Sequence, residues 1–353
     1  MKRTLAITVV ACVAAVIAFA YIHHRKLVKQ REAFDAPSPG TSRVAVSPSS
    51  PAPANTPDLI HQLLPGASVV AYVDVAALRS SSFADELASL APTPAQDPAY
   101  TDFVHDTGFD YSRDLDRAAV DLWPQTSATS VLALAQGRFD KVRIEQYALR
   151  FGRALKIHGQ KIFEVREENS PRTVRFTFLA SDEIAISDGP AISQLLGAQN
   201  SARLDSQMSA RVARVSDAPI YAVARTDDLP RDLGIDVSHS TQLGNLLRSV
   251  HAITAAARPA GENLKLFASA DCGSTLDAFQ LSTALEGLLW MGRAALADPK
   301  TRQQIGPQWP ALDALLKAAD ISHNSHLIEL RVQITPQMLQ AAVAAPADGS
   351  SRK

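Results

Sequence analysis

Apolar residues are distributed along this chain in three patterns. The first is an uninterrupted run of 18 uncharged residues, Leu5 to Ile22. Coiled as a helix it is about 27 Å long. That is close to the about 30 Å of a bilayer's hydrocarbon core, and it puts Tyr21 and the His23-His24 pair at the headgroup boundary. The second pattern is short and valine-rich or alternating, which predicts strands: "SVVAYVDV", "RAAVDLW" (117–123), "SVLALAQGRF" (130–139) and "TVRFTFLA". In the last of these Val174, Phe176, Phe178 and Ala180 alternate strictly, as a sheet with one buried face requires. The third has helical spacing. Ile144, Tyr147, Ala148 and Phe151 share one face behind Asp140, a residue type that caps helices. Ala278, Leu281, Leu285, Leu288, Gly292 and Ala295 share another, behind the capping box Ser274-x-x-Asp277.

Turn chemistry joins these elements. Asp58 is suited to cap a short helix through Leu64 that Pro65-Gly66 ends. "LKIHGQKIFEVRE" reads as a hairpin around His158-Gly159, and Asp188-Gly189-Pro190 opens a further helix. "HLIELRVQITPQMLQAAVAA" supplies a last strand and a closing helix. The second half reuses the plan of the first: residues 67–78 and 218–229 align without a gap at an offset of 151. "VLALAQGRFD" and "LKLFASADCG" are both strands running into a capped helix. The expected fold is therefore α+β, two related lobes (58–203 and 204–345) of mostly antiparallel sheet with helices on one face. The transmembrane helix within 1–31 and a linker over 32–57 precede them. The stretch 37–57 holds six prolines and almost no large apolar side chain, so it is expected to act as an extended spacer. Residues 346–353 read as a frayed tail.

Charge sharpens this organisation. The formal net charge is −1, but residues 1–31 carry Lys2, Arg3, Arg25, Lys26, Lys29 and Arg31 and no acid. Removing those six from the chain's 35 basic residues leaves 29 against 36 acidic ones, a net of −7 for the rest. A mildly acidic body is a poor match for a phosphate backbone, so nucleic acid is not an expected partner. Of the two cysteines, Cys12 lies in the apolar run and Cys272 alone in the body, which leaves no internal disulfide and no cysteine-based zinc site.

Three fates compete for the N-terminal segment. It stays as a membrane anchor; it is cleaved after the small-x-small stretch Ala18-Phe19-Ala20; or Val9 to Cys12 serves as a loose lipobox. The basic stretch "HHRKLVKQR" opposes translocation directly behind a cleavage site, and the lipobox has only Leu5 to Thr8 before it. Retention is the expectation, with the membrane as a partner through residues 5–22. The basic flanks are nearly balanced. The signal-like layout and the spacer behind it favour an extracytoplasmic, periplasmic body.

Catalytic constellations are sparse. There is no HExxH, no Walker loop, no G-x-G-x-x-G behind a strand and no G-x-S-x-G elbow. His323 and His326 form a close pair in "DISHNSH", read as a polar turn without a third ligand. Asp106, Asp110, Asp114 and Asp116 lack the alternating ligand pattern of a calcium loop and suit caps and Asx-turns instead. Cys272 stands at a strand-to-helix junction, where backbone N–H groups can lower a thiol pKa. The expectation is no catalytic, cofactor-binding or metal residue, and no cofactor.

"LLPGASVVAYVDVAALR", "TGFDYSRDLDR" and "ALAQGRFD" resemble segments of uncharacterised bacterial envelope proteins that have one N-terminal anchor and a large α+β ectodomain. The resemblance covers mainly residues 60–200, and it implies no established activity and no site residue. Together these readings lead to an anchored, non-enzymatic module that binds an envelope protein or a surface ligand. The alternative is an anchored hydrolase or thiol enzyme using Cys272 or a histidine site.

Overall fold

A computed structural model describes residues 59–84, 98–124, 129–166, 173–188, 190–197, 204–226, 248–306 and 309–343. The expected anchor (5–22), linker (32–57) and tail (346–353) lie outside the described residues, as does Asp58. Among the described residues no helix is long and apolar enough to cross a membrane.

A 3-10 helix, Leu59–Gln62, leads into β1 (Val69–Asp74), where the valine-rich stretch predicts a strand. Asp74 ends the strand and caps α1 (Val75–Arg79) by accepting the Ala77 N–H. Two further helices, α2 (Pro98–Thr107) and α3 (Tyr111–Asp114), precede the antiparallel pair β2 (Leu115–Pro124) and β3 (Thr129–Gly137). Asp140 accepts the Arg143 N–H and starts α4 (Lys141–Phe151), as the sequence predicts. The hairpin β4 (Gly152–Ile157) and β5 (Gln160–Arg166) turns on His158 and Gly159, with φ of 50° and 82°. Two successive positive φ values give the turn whose twist matches a hairpin. Then come β6 (Thr173–Phe178), β7 (Glu183–Ser187), α5 (Ala191–Gly197), α6 (Ser206–Ala213) and β8 (Ile220–Arg225). The hairpin β9 (Val250–Ala260) and β10 (Asn263–Cys272) leads into α7 (Thr275–Ala297). The chain closes with α8 (Pro299–Ile305), α9 (Trp309–Ala318), β11 (Asp320–Asn324), β12 (Leu327–Ile334) and α10 (Pro336–Val343). This is the mixed helix and antiparallel sheet expected of an α+β chain.

All 12 described strands form one sheet in the order β11-β12-β10-β9-β8-β1-β2-β3-β7-β6-β5-β4. The two halves of the chain meet in it at the antiparallel pair β1·β8. There Ala71 lies opposite Ala222, the two residues that the 151-residue offset equates. Tyr72 and Tyr221 stack beside them with ring centroids 5.1 Å apart.

Helices cover both faces of the sheet, where the sequence suggested one. The main core lies on the first face, with Val70, Ala119, Leu132, Leu134, Tyr221, Val223 and Ala256 beneath the 3-10 helix, α5 and α6. On the second face Val73, Ala118, Ile220, Ala257 and Leu264 pack with Leu78 of α1 and with Phe83. On that second face α4 sets Lys141 over Phe178 and pairs Glu145 with Lys161, and α7 covers Cys272 and Ile328. Neighbouring strand residues therefore point into different cores, which is why the alternation in "TVRFTFLA" does not separate buried from exposed. Thr177 is as enclosed as Phe178.

One core residue is out of place by polarity. Asp121 of β2 is fully buried, and its Oδ2 accepts the Leu64 N–H at 2.9 Å. Its Oδ1 has no hydrogen-bond partner among the described residues. Burial pushes the Asp121 carboxyl well above the usual range, against the smaller pull of the Leu64 N–H. A carboxyl whose pKa is higher folded than unfolded stabilises most below the unfolded value of about 4. That stability is lost as pH rises through the folded value. Asp121→Asn keeps an acceptor for Leu64 and removes the ionisation. It is expected to raise the melting temperature near neutral pH by about 2–4 °C and to flatten the decline toward alkaline pH. Thermal melts at acidic and alkaline pH check this; an equal loss of stability at both would contradict it.

Candidate functional site

The residues that carry chemistry are, one after another, tied into the scaffold. His323 is not in a turn: it sits in β11, opposite Ile328, and only Ser325 and His326 form the connecting turn. A polar edge strand such as "DISHN" shows little apolar alternation, which explains the difference. The His323 Nδ1 lies 3.2 Å from Ser282 Oγ, and its ring meets the edge of Phe279 at 5.7 Å. Ser282 is buried, and its hydroxyl donates to the Phe279 carbonyl one turn back, an ordinary helix back-bond. The pair locks β11 to α7. The His326 carbonyl accepts the Cys272 N–H at 2.8 Å.

Cys272 ends β10 at a bulge and is buried beneath α7. Burial pushes its thiol up, and the neighbouring charges of Asp277 and Asp271 push the same way. The helix start that follows does not activate it, because the first turn of α7 brings Asp277 along with its N–H groups.

The four aspartates of 105–117 each have a structural role. Asp106 pairs with Arg150. Asp110 caps α3 through the Ser112 N–H and accepts the Tyr100 hydroxyl. That half-buried phenol is held above its usual range by desolvation first and by Asp110 second. Asp114 accepts the Asp110 N–H and pairs with Arg113 and Arg138. Burial opposes its ionisation, but those bonds outweigh it and hold the carboxyl below its usual range. Asp116 pairs with Arg79. Among the described residues no group of three or more His, Cys, Asp or Glu side chains is placed to hold a metal ion.

Elsewhere the ion pairs fasten elements together. Arg153, Glu164 and Arg175 lie directly across β4, β5 and β6, with Glu164 clamped from both sides. Asp271 receives Arg211 at 2.8 Å and Arg214 at 3.1 Å, which ties α6 to β10. A shallow depression over β4 and β5, bounded by Leu155, Lys156, Gly159 and Lys161, lies far along the sheet from Cys272 and His323.

What remains unmatched is apolar. Helix α7 buries Ala278, Leu281 and Leu296, yet Leu276 is 63% exposed, Phe279 53%, Trp290 69% and Met291 53%. Leu276, Phe279, Thr283, Gly287, Trp290, Ala294 and Ala297 recur at steps of three and four and form one face of the helix. All of them are exposed, and a Cβ on Gly287 would meet nothing within 4 Å. The Arg293 guanidinium donates to the Leu316 and Ala319 carbonyls, which fixes the C-terminal half of α7 on α9 and holds this face outward. The sequence carries a signal for it: from Ala278 to Ala297 the only charged residues are Glu286 and Arg293. A helix apolar all round has a second face to bury.

The sequence matches no family model and no curated protein. Among solved structures, three crystal forms of TP0453 are similar in overall course. Form III has a TM-score of 0.47 at 10% identity over 81% of this chain and 97% of that one. Form I gives 0.43 at 11% identity over 82% and 97%, and form IV 0.42 at 10% over 81% and 96%. Similarity at this level assigns no activity to the chain.

Proposed function

We propose that this chain is a membrane-anchored, extracytoplasmic binding module without catalytic chemistry of its own. Leu5 to Ile22 stays in lipid, residues 32–57 space the body from the bilayer, and α7 carries the surface that meets an envelope partner. The observation that carries the reading is the exposed row on α7. Scattered apolar side chains are ordinary on a protein surface, but a contiguous row is the mark of an interaction site. Leu276, Phe279 and Trp290 each offer about 1.5–3 kcal/mol on full burial, which is the scale at which a few anchors dominate an interface. The hydrolase or thiol alternative loses support from the same geometry: the Cys272 thiol is pushed up beneath a helix, and Ser282 serves its own backbone.

The two halves of the body, 58–203 and 204–345, are read here as copies of one duplicated unit. In support, the antiparallel pair β1·β8 is centred on Ala71 opposite Ala222, the one pair of facing residues that the 151-residue offset equates. Outward from that pair each half runs through a hairpin (β2–β3, β9–β10) and then a helix (α4, α7). A returning hairpin follows (β6–β7, β11–β12), whose second strand pairs with β3 or β10, and then a closing helix (α5, α10). The first half inserts β4–β5 where the second inserts α8 and α9.

Two experiments test the function. The full-length chain is expected in the membrane pellet after alkaline carbonate, with its body open to protease in spheroplasts and shielded in intact cells. Full-length chain in the carbonate supernatant would contradict the anchor, and protection in both preparations would contradict the side. A photo-activatable residue placed at Trp290 is expected to give discrete adducts in living cells, while the same residue at exposed Val142 of α4 gives none. Absence of adducts at Trp290 would contradict α7 as the binding surface.

A further inference from the structure

The exposed row on α7 has an internal order that names its partner. Its large members lie toward the N-terminal half and at Trp290, its small ones toward the C-terminal half and at Gly287. When a second α7 is laid antiparallel over the first, with the midpoint between Glu286 and Gly287, the positions match by size. Leu276 falls opposite Ala297 of the second copy, Phe279 opposite its Ala294, and Thr283 opposite its Trp290. Gly287 falls beside the crossing, opposite Glu286 of the second copy, where the open space above it admits the other backbone. Each pairing is made twice, as a two-fold axis demands. Helices approach most closely where a small side chain stands at the contact.

We propose that α7 is the self-complementary seam of a homodimer, the two copies packing antiparallel through Leu276, Phe279, Thr283, Gly287, Trp290 and Ala294. This rests on the reading of α7 as a binding surface and names its partner as a second copy of the chain. A bilayer is the poorer occupant. A helix that lies on lipid presents large apolar residues throughout and basic flanks for anionic headgroups. Here the row holds small residues at Gly287, Ala294 and Ala297, and the charged residues of α7 are Asp277, Glu286 and Arg293, more acidic than basic. The proposed anchor also favours a copy, since tethering to one membrane raises the effective concentration of each copy for another.

The test uses the full-length protein in mild detergent. Analytical ultracentrifugation is expected to show a dimer, and Phe279→Glu and Trp290→Glu are each expected to weaken self-association about tenfold or more with unchanged far-UV circular dichroism. To guard against misfolded variants, Gly287→Cys is compared with Leu276→Cys under mild oxidation, each beside the unmodified chain. Gly287→Cys is expected to cross-link two copies and Leu276→Cys is not, because position 276 faces Ala297 across the seam. A monomer at every concentration, or cross-linking at 276 in place of 287, would overturn the proposal. So would a monomer whose Trp290 fluorescence shifts to the blue on vesicles of mixed neutral and anionic phospholipid, which makes the bilayer the occupant. In-cell adducts at Trp290 to a different protein, with no dimer, would also overturn it while leaving α7 a binding surface. Loss of all adducts would remove the broader reading as well.

Discussion

The pairing of β1 with β8 is the constraint on which the rest of the body depends. Within its own half each strand has one edge covered, β1 by β2 and β8 by β9, and each supplies the other's second ladder from Val69 opposite Ala224 to Val73 opposite Ile220. The Ser68 carbonyl and the Asp74 N–H continue the ladder at its ends, to the Arg225 N–H and the Pro219 carbonyl. Both cores cross this line. On the first face Val70, Leu132 and Leu134 of one half close against Tyr221, Val223 and Ala256 of the other. On the second, Val73 and Ala118 close against Ile220, Ala257 and Leu264. Breaking the pair would expose two edges and open two cores at once, so the halves are expected to behave as one body.

That arrangement leaves its mark on function. With helices over both faces, most polar side chains that reach the sheet are consumed in holding layers together. Asp271 takes Arg211 of α6 and Arg214 at its C-cap. Ser282 takes His323 from β11. Glu164 joins three strands near the β4 edge. Chemistry that looks suggestive in the sequence is thereby spent on structure, and what faces outward with no match is the apolar row of α7. A stiff support is useful to such a surface, because a preorganised face loses little entropy when it binds.

Local features of this fold were legible in the sequence, and features set by distant partners were not. The strands β1, β2 and β3, the His158-Gly159 turn and the caps at Asp140 and Ser274 follow from residues within a few positions of one another. The gapless offset of 151 was visible too, but that the two segments pair, with Ala71 opposite Ala222, was not. By contrast, the buried stripe of α7 drifts from its expected line. Leu288 and Ala295 turn outward while Leu296 is enclosed, because α9 packs against the C-terminal half near Gly292 and Leu316. No local pattern reports where α9 lies. The single aspartate in "RAAVDLW" was visible, yet its meaning depended on the Leu64 N–H, 57 positions away. The setting of Cys272 was read correctly as a strand-to-helix junction. Its electrostatics depend on burial and the adjacent acids, which reverse what a helix start does alone.

The central claim is that one sheet, joined at β1·β8, makes a single cooperative support that presents α7. Amide hydrogen exchange of the full-length protein along a urea gradient tests it most directly. The account predicts that the amides of Val70, Ala71, Tyr72, Ala222 and Val223 open together with those of β2, β3, β9 and β10, at one urea concentration. Free exchange in β1 and β8 while either half stays protected would contradict it.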